Sequence, residues 1–199
     1  AEAKATIDQY DAEAKVLRAM ALFDLTRIYG KPYTVDQGSS PGVPIATSPL
    51  ESTEKPSRST VAQCYEAIEK DLTDAINSNA LPKTNEVGYV NLWAAKALQV
   101  RVYMTKGEWS KALSVAEDII SNSSYKLWEP SEYVAAWSKS DANHSKEIMF
   151  EISINNNTDW TDREGIAYLY ADKAGASPGY GDVIVTKDFS DMLLSLIHI

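Results

Sequence analysis

The chain has 199 residues, 44% of them apolar, with a formal net charge of −9 and a pI near 4.7. That length supports a domain with a sizeable core, and no apolar run approaches the ~18–20 residues of a membrane-spanning helix. An acidic chain has nothing to neutralise phosphates with, which argues against nucleic acid as a partner, and a lone cysteine, Cys64, excludes an internal disulfide or a cysteine-based metal cluster.

The opening residues already read as helical, and a long helix is predicted over about Asp11–Tyr29. Val16, Leu17, Met20, Ala21, Phe23, Leu25 and Ile28 give it a broad apolar surface, and Gly30 and Pro32 end it. Asp24 falls among apolar neighbours and has Arg27 three residues on as an ion-pair partner. A connection rich in Pro, Gly, Ser and Thr follows from Lys31 to Ser59; a loop of that length is a functional segment or a clasp, and its centre, Gly42-Val43-Pro44-Ile45, is expected to lie extended against the helices. Thr60 and Gln63 have the spacing of a capping box. Behind them Val61, Cys64, Tyr65, Ile68, Leu72, Ala75 and Ile76 mark the buried stripe of a second helix, with Cys64 an inert buried thiol.

Residues 91–122 read as two helices folded back on each other through Lys106-Gly107-Glu108. The first helix is apolar around nearly its whole circumference and so needs neighbours on several sides. The second carries Trp109, Ala112, Leu113, Ala116, Ile119 and Ile120 on one stripe, expected to be buried. Tyr103, Gly107, Trp109, Ala112 and Ala116 match the helix–turn–helix of a tetratricopeptide unit, with Trp93, Tyr103 and Trp109 read as core.

After Asn122 the pattern becomes irregular. Glu129-Pro130 opens a short helix carrying Tyr133, Val134 and Trp137. Ile148, Phe150, Ile152 and Ile154 alternate with polar positions, as in a half-buried strand. Asn155 to Arg163 is a polar loop around Trp160. Ile166, Tyr168 and Tyr170 alternate weakly, Ser177 to Gly181 is a turn with Tyr180 at its tip, and Thr186 begins another helix. The expected architecture is mainly α: a tetratricopeptide-like scaffold over 11–122, interrupted by the loop 31–59, then an irregular, ligand-facing part over 123–199 with one or more short strands. The whole reads as one truncated domain over 1–199. Both ends look cut, and Ser195–Ile199 departs from the expected polar spacing.

The order of these motifs resembles the SusD/RagB family. The resemblance rests on AEAKVLRAMALFDLTRIYG, GVPI, PSRSTVAQCYEAIEKDLTDAI, AAKALQVRVYMTKGEWSKALSVAEDII and SKEIMFEI, over roughly Glu13–Ile154. It implies a surface lipoprotein of the Bacteroidetes outer membrane that captures nutrients, usually glycans, and pairs with a TonB-dependent, SusC-like transporter. Family members are usually much longer, and the family's lipidated cysteine has no counterpart here.

Only His144 and His198 are present, so no catalytic triad or metal-ligand pair is supported, and no cofactor motif is found. An enzyme is therefore not expected. Asp159, Asp162 and Glu164 lack the spacing of a calcium loop. The remaining candidates are aromatic residues with polar neighbours, because a sugar ring stacks its C–H face on an aromatic side chain while amides and carboxylates bond its hydroxyls. Trp160 with Asn155, Asn157 and Asp159, and Tyr180 in its glycine turn, have that mixture. Packing of Trp160 onto the preceding segment is the plainer alternative. As an alternative function, a tetratricopeptide-type adaptor would bind a peptide in its groove, for which the inner helix offers only Lys96, Gln99 and Arg101.

Overall fold

A computed structural model describes residues 2–137, 144–152, 166–170, 179–181 and 186–197. The chain divides into two compact units, Ala1–Ile152 and Ser153–Ile199. The first unit is helical: α1 (Glu2–Tyr29), α2 (Tyr33–Asp36), α3 (Val61–Asn77), α4 (Leu92–Lys106), α5 (Trp109–Asn122) and α6 (Pro130–Trp137). The second contains α7 (Ile166–Tyr170) and α8 (Lys187–Ile197).

In α1, Ala12, Val16, Ala19, Phe23 and Thr26 are buried in steps of three and four, one face of a helix. Thr26 is accommodated by donating its hydroxyl to the Leu22 carbonyl at 2.6 Å. That face packs on α3, which buries Val61, Cys64, Tyr65, Ile68, Leu72 and Ala75. Arg18 ties the two helices, donating through Nε and Nη2 at 2.7 Å each to the two oxygens of the buried Asp71. The expected Arg27–Asp24 pair forms at 2.5 Å, on an exposed surface.

The loop between α1 and α3 is a clasp. After α2 the backbone turns left-handed at Gln37 and Gly38, with φ of 54° and 76°. A Cβ on Gly38 would lie 2.6 Å from the Ala62 nitrogen, so only glycine fits. Gly42 N–H donates to Ser59 O at 2.7 Å and Ser59 N–H to Val43 O at 3.1 Å, closing the strap on itself. Arg58 staples it, donating to the carbonyls of Gly42, Tyr29 and Pro41 at 2.5, 2.9 and 3.2 Å. Val43 is buried and Ile45 packs on the core, as expected for the extended centre. The capping box is present: Thr60 Oγ1 accepts from Gln63 N–H at 3.1 Å, and Gln63 Oε1 from Thr60 N–H at 2.9 Å.

The hairpin of α4 and α5 forms as read, and α4 also packs on α3. Gly107 ends α4 at φ 80°, with Gly107 N–H and Glu108 N–H donating to Met104 O and Tyr103 O. Trp93, Ala95, Leu98 and Val102 are buried on α4, while Met104 is exposed. On α5 the expected single buried stripe splits in two. Ala112 and Ile119 face α4; Trp109, Leu113 and Ile120 are 65%, 60% and 72% exposed. Successive residues turn about 100°, which puts Trp109, Leu113 and Ile120 together roughly 90° around from Ala112 and Ile119. An α5 resting chiefly on one neighbour covers only the nearer ridge.

Over its described residues the segment read as a strand is not one; Ile154 lies outside them. Glu147–Ile152 is non-helical and unpaired by any ladder. Its carbonyls are taken by side chains instead: Ile148 O accepts from Asn85 Nδ2, and Met149 O from Asn91 Nδ2, both at 2.7 Å. Ile148 and Phe150 are half-buried, with Phe150 packed against the core, but Ile152 is exposed. Among the described residues the sole bridge is Pro41–Thr60. In the second unit, residues 166–170 form a short helix instead of an alternating segment, and Thr186 caps α8, its Oγ1 accepting from Phe189 N–H at 3.3 Å.

Candidate functional site

The polypeptide leaving α5 runs through residues 123–129 into α6. Pro130 occupies the first helical position, where its missing N–H costs nothing, and Glu132 reaches back to accept from Glu129 N–H at 2.9 Å. Tyr133 and Trp137, four residues apart, lie on one face of α6. Trp128, half-buried on the connector, stands edge-on to both, with ring centroids 6.0 and 5.8 Å away. His144 completes the group, 6.1 Å from Trp128 and stacked on Trp137 at 4.6 Å and 26°.

Trp128 is the base of this cluster, and its backbone N–H is held by Glu147 Oε2 at 2.7 Å. Tyr133 and Trp137 are its outer surface, 55% and 52% exposed. Around them stand Glu132, ion-paired with Lys146, and the Glu147 and Glu151 carboxylates. Glu132 is held below its ordinary carboxylate value, first by its bond from Lys146. The cluster therefore combines open aromatic faces with fixed hydrogen-bonding groups, which is the chemistry a sugar ring requires.

Asn155, Asn157, Asp159 and Trp160 lie outside the described residues. Tyr180 is described: its ring is 40% exposed and meets Tyr168 edge-to-face at 4.9 Å, while its N–H donates to Tyr168 O at 3.0 Å. Sequence reading put Tyr133 and Trp137 on a short helix but did not single them out. The available signal was the spacing Trp128, Tyr133, Trp137, which places the connector aromatic one turn before an i, i+4 aromatic pair. Of the basic residues of the inner helix, Lys96 is ion-paired with Asp118 and lies 5.0 Å above the Trp93 ring, whereas Arg101 is exposed. Among the described residues, no three His, Cys, Asp or Glu side chains are grouped to hold a metal ion, and no helix is long and apolar enough to cross a membrane.

Residues 1–104 match the SusD-like family described as starch-binding and associating with the outer membrane. The chain belongs to that family. It is similar to the crystal structure of a SusD superfamily protein from Bacteroides thetaiotaomicron, at 39% identity and a TM-score of 0.84, covering 98% of this chain and 42% of that one. A SusD superfamily protein from Bacteroides vulgatus is 32% identical, with a TM-score of 0.81 and coverage of 96% and 42%. A laminarin-binding SusD-like protein is 26% identical, with a TM-score of 0.55 and coverage of 69% and 30%. The chain thus spans about 42% of the length of the first two relatives. No curated protein matches it.

Proposed function

We propose that this chain belongs to a non-catalytic glycan-capture protein held at the outer-membrane surface by a lipid anchor, which hands its ligand to a TonB-dependent, SusC-like transporter. The observation that carries the glycan reading is the Trp128–Tyr133–Trp137 cluster, with its two outer rings open and its rim polar. The family description and the laminarin-binding relative support the same ligand class. Trp160, Asn155, Asn157 and Asp159, together with Tyr180, form a second proposed contact set. The adaptor alternative has less support, because Lys96 is engaged within the scaffold.

Calorimetric titration with laminarin and maltoheptaose tests this reading. Loss of one stacking ring in Trp137→Ala or Tyr133→Ala should weaken binding about two- to tenfold, the worth of an aromatic contact. Trp160→Ala tests the second set in the same way. Unchanged affinity in the Tyr133/Trp137 double variant would remove α6 from the site. Incubation with either glycan should release no new reducing ends.

A further inference from the structure

His144 sits between two acceptors. Its Nδ1 is 2.8 Å from Glu151 Oε2, and its Nε2 is 2.9 Å from the Ala136 carbonyl oxygen. A backbone carbonyl has no proton to give, and a carboxylate oxygen only accepts. A neutral imidazole carries one N–H and can serve one of them; an imidazolium serves both.

We infer that His144 works as a doubly protonated clamp that fixes the Trp137 ring, so that glycan stacking on α6 is switched by a proton. This rests on the reading of the α6 cluster as a glycan surface. Three further observations point the same way. Ala136 is the penultimate residue of α6, whose last carbonyls have no partner within the helix, and a cation is favoured at that end. The imidazole stacks on Trp137 and meets the edge of Trp128, placing positive charge over an indole face. The His144 side chain is only 13% exposed, whereas Trp137 is 52% exposed, so the ring is held from beneath and open above.

Among the described residues, the charged groups near the ring are Glu151, Glu147 and Lys146 on its own segment, and Glu132 of α6, which pairs with Lys146. The bond to Glu151 raises His144 above its ordinary value of 6.5; partial burial opposes this, and the Ala136 carbonyl and the Glu151 charge add to it. A raised folded-state value means that the clamp is fully engaged below pH 6.5 and is lost as pH rises through the folded value. Deprotonation forces the ring to abandon one acceptor, and with it the alignment against Trp137.

The test uses the whole chain with its histidines labelled for NMR, assigned by comparison with His144→Gln. The His144 ring should titrate with a midpoint above 6.5, and Glu151→Gln should move that midpoint down. Laminarin affinity should fall about two- to tenfold between about pH 5.5 and about pH 8.5 and stay level in His144→Gln. A single neutral tautomer at about pH 5.5, or a midpoint indifferent to Glu151→Gln, overturns the clamp. Binding that is level with pH while the ring titrates as described overturns its control of stacking. No binding of laminarin or maltoheptaose at any pH, with the titration intact, sinks the glycan surface and leaves the clamp standing.

Discussion

The Asn91 side chain makes four hydrogen bonds. Only 1% exposed, it caps α4 by accepting from Trp93 and Ala94 N–H at 3.0 Å each, while its Nδ2 donates to Met149 O and to the Tyr125 hydroxyl. One residue thus starts a helix and anchors the segment that carries Glu147 and Glu151. Asn91→Ala should cost about 3 kcal/mol in chemical denaturation, combining a lost cap with stranded buried partners. Asn91→Ser, which keeps the capping oxygen, should lose less. Glu108 is the acid-sensitive counterpart. It receives Lys106 at 2.7 Å and Lys111 at 2.6 Å, and these bonds, Lys106 first, hold its carboxyl below the ordinary 4.5. A depressed value contributes stability above pH 4.5 that disappears as pH falls through the folded value. Urea midpoints between about pH 5 and about pH 3 should therefore fall less steeply in Glu108→Gln than in the wild type.

At the scale of elements, α5 separates two kinds of apolar residue that sequence periodicity merges. Ala112 faces α4 at 5% exposure, so Ala112→Leu should overpack the hairpin and cost about 1–3 kcal/mol. Trp109, with 65% of its surface open, should tolerate Trp109→Gln within about 0.5 kcal/mol. Thermal denaturation of the two variants checks the contrast. The longer helices were legible where they carry their own punctuation, Thr60 and Gln63 at a start and Gly107 at an end, as was α6 with Pro130 at its first turn, whereas the short α2 and α7 were not. What stayed hidden depends on neighbours. Alternation correctly marked Ile148 and Phe150 as inward and missed the exposure of Ile152, and it carries no sign that Asn85 and Asn91, about sixty residues earlier, would occupy the carbonyls that a strand needs. Asp71 likewise carries no local sign of burial, which goes with Arg18 on the facing helix.

For the molecule as a whole, the scaffold was more legible than the site. Helical stripes repeat and can be counted, whereas the proposed binding face is assembled once, from a connector, a short helix and a histidine seven residues after Trp137. The aromatic face also has to operate on a chain of net charge −9. Uncharged laminarin should therefore bind with an affinity that changes little from low to physiological salt, because stacking is not screened, while polyanionic glycans should be disfavoured at low salt. Parallel titrations at the two ionic strengths check this.

The stapled strap has one more consequence. Its two ends are fastened by Arg58 and the Gly42–Ser59 bonds, yet every residue from Ala46 to Arg58 is exposed. Covalent continuity across that tip should therefore be dispensable. A glutamyl endopeptidase cutting after Glu51 or Glu54 should yield a nicked protein whose pieces co-elute, since α1 remains seated on α3 and Arg18 on Asp71. The same two pieces, expressed separately, should reassemble, which makes this excursion a natural place to split the protein into a complementing pair.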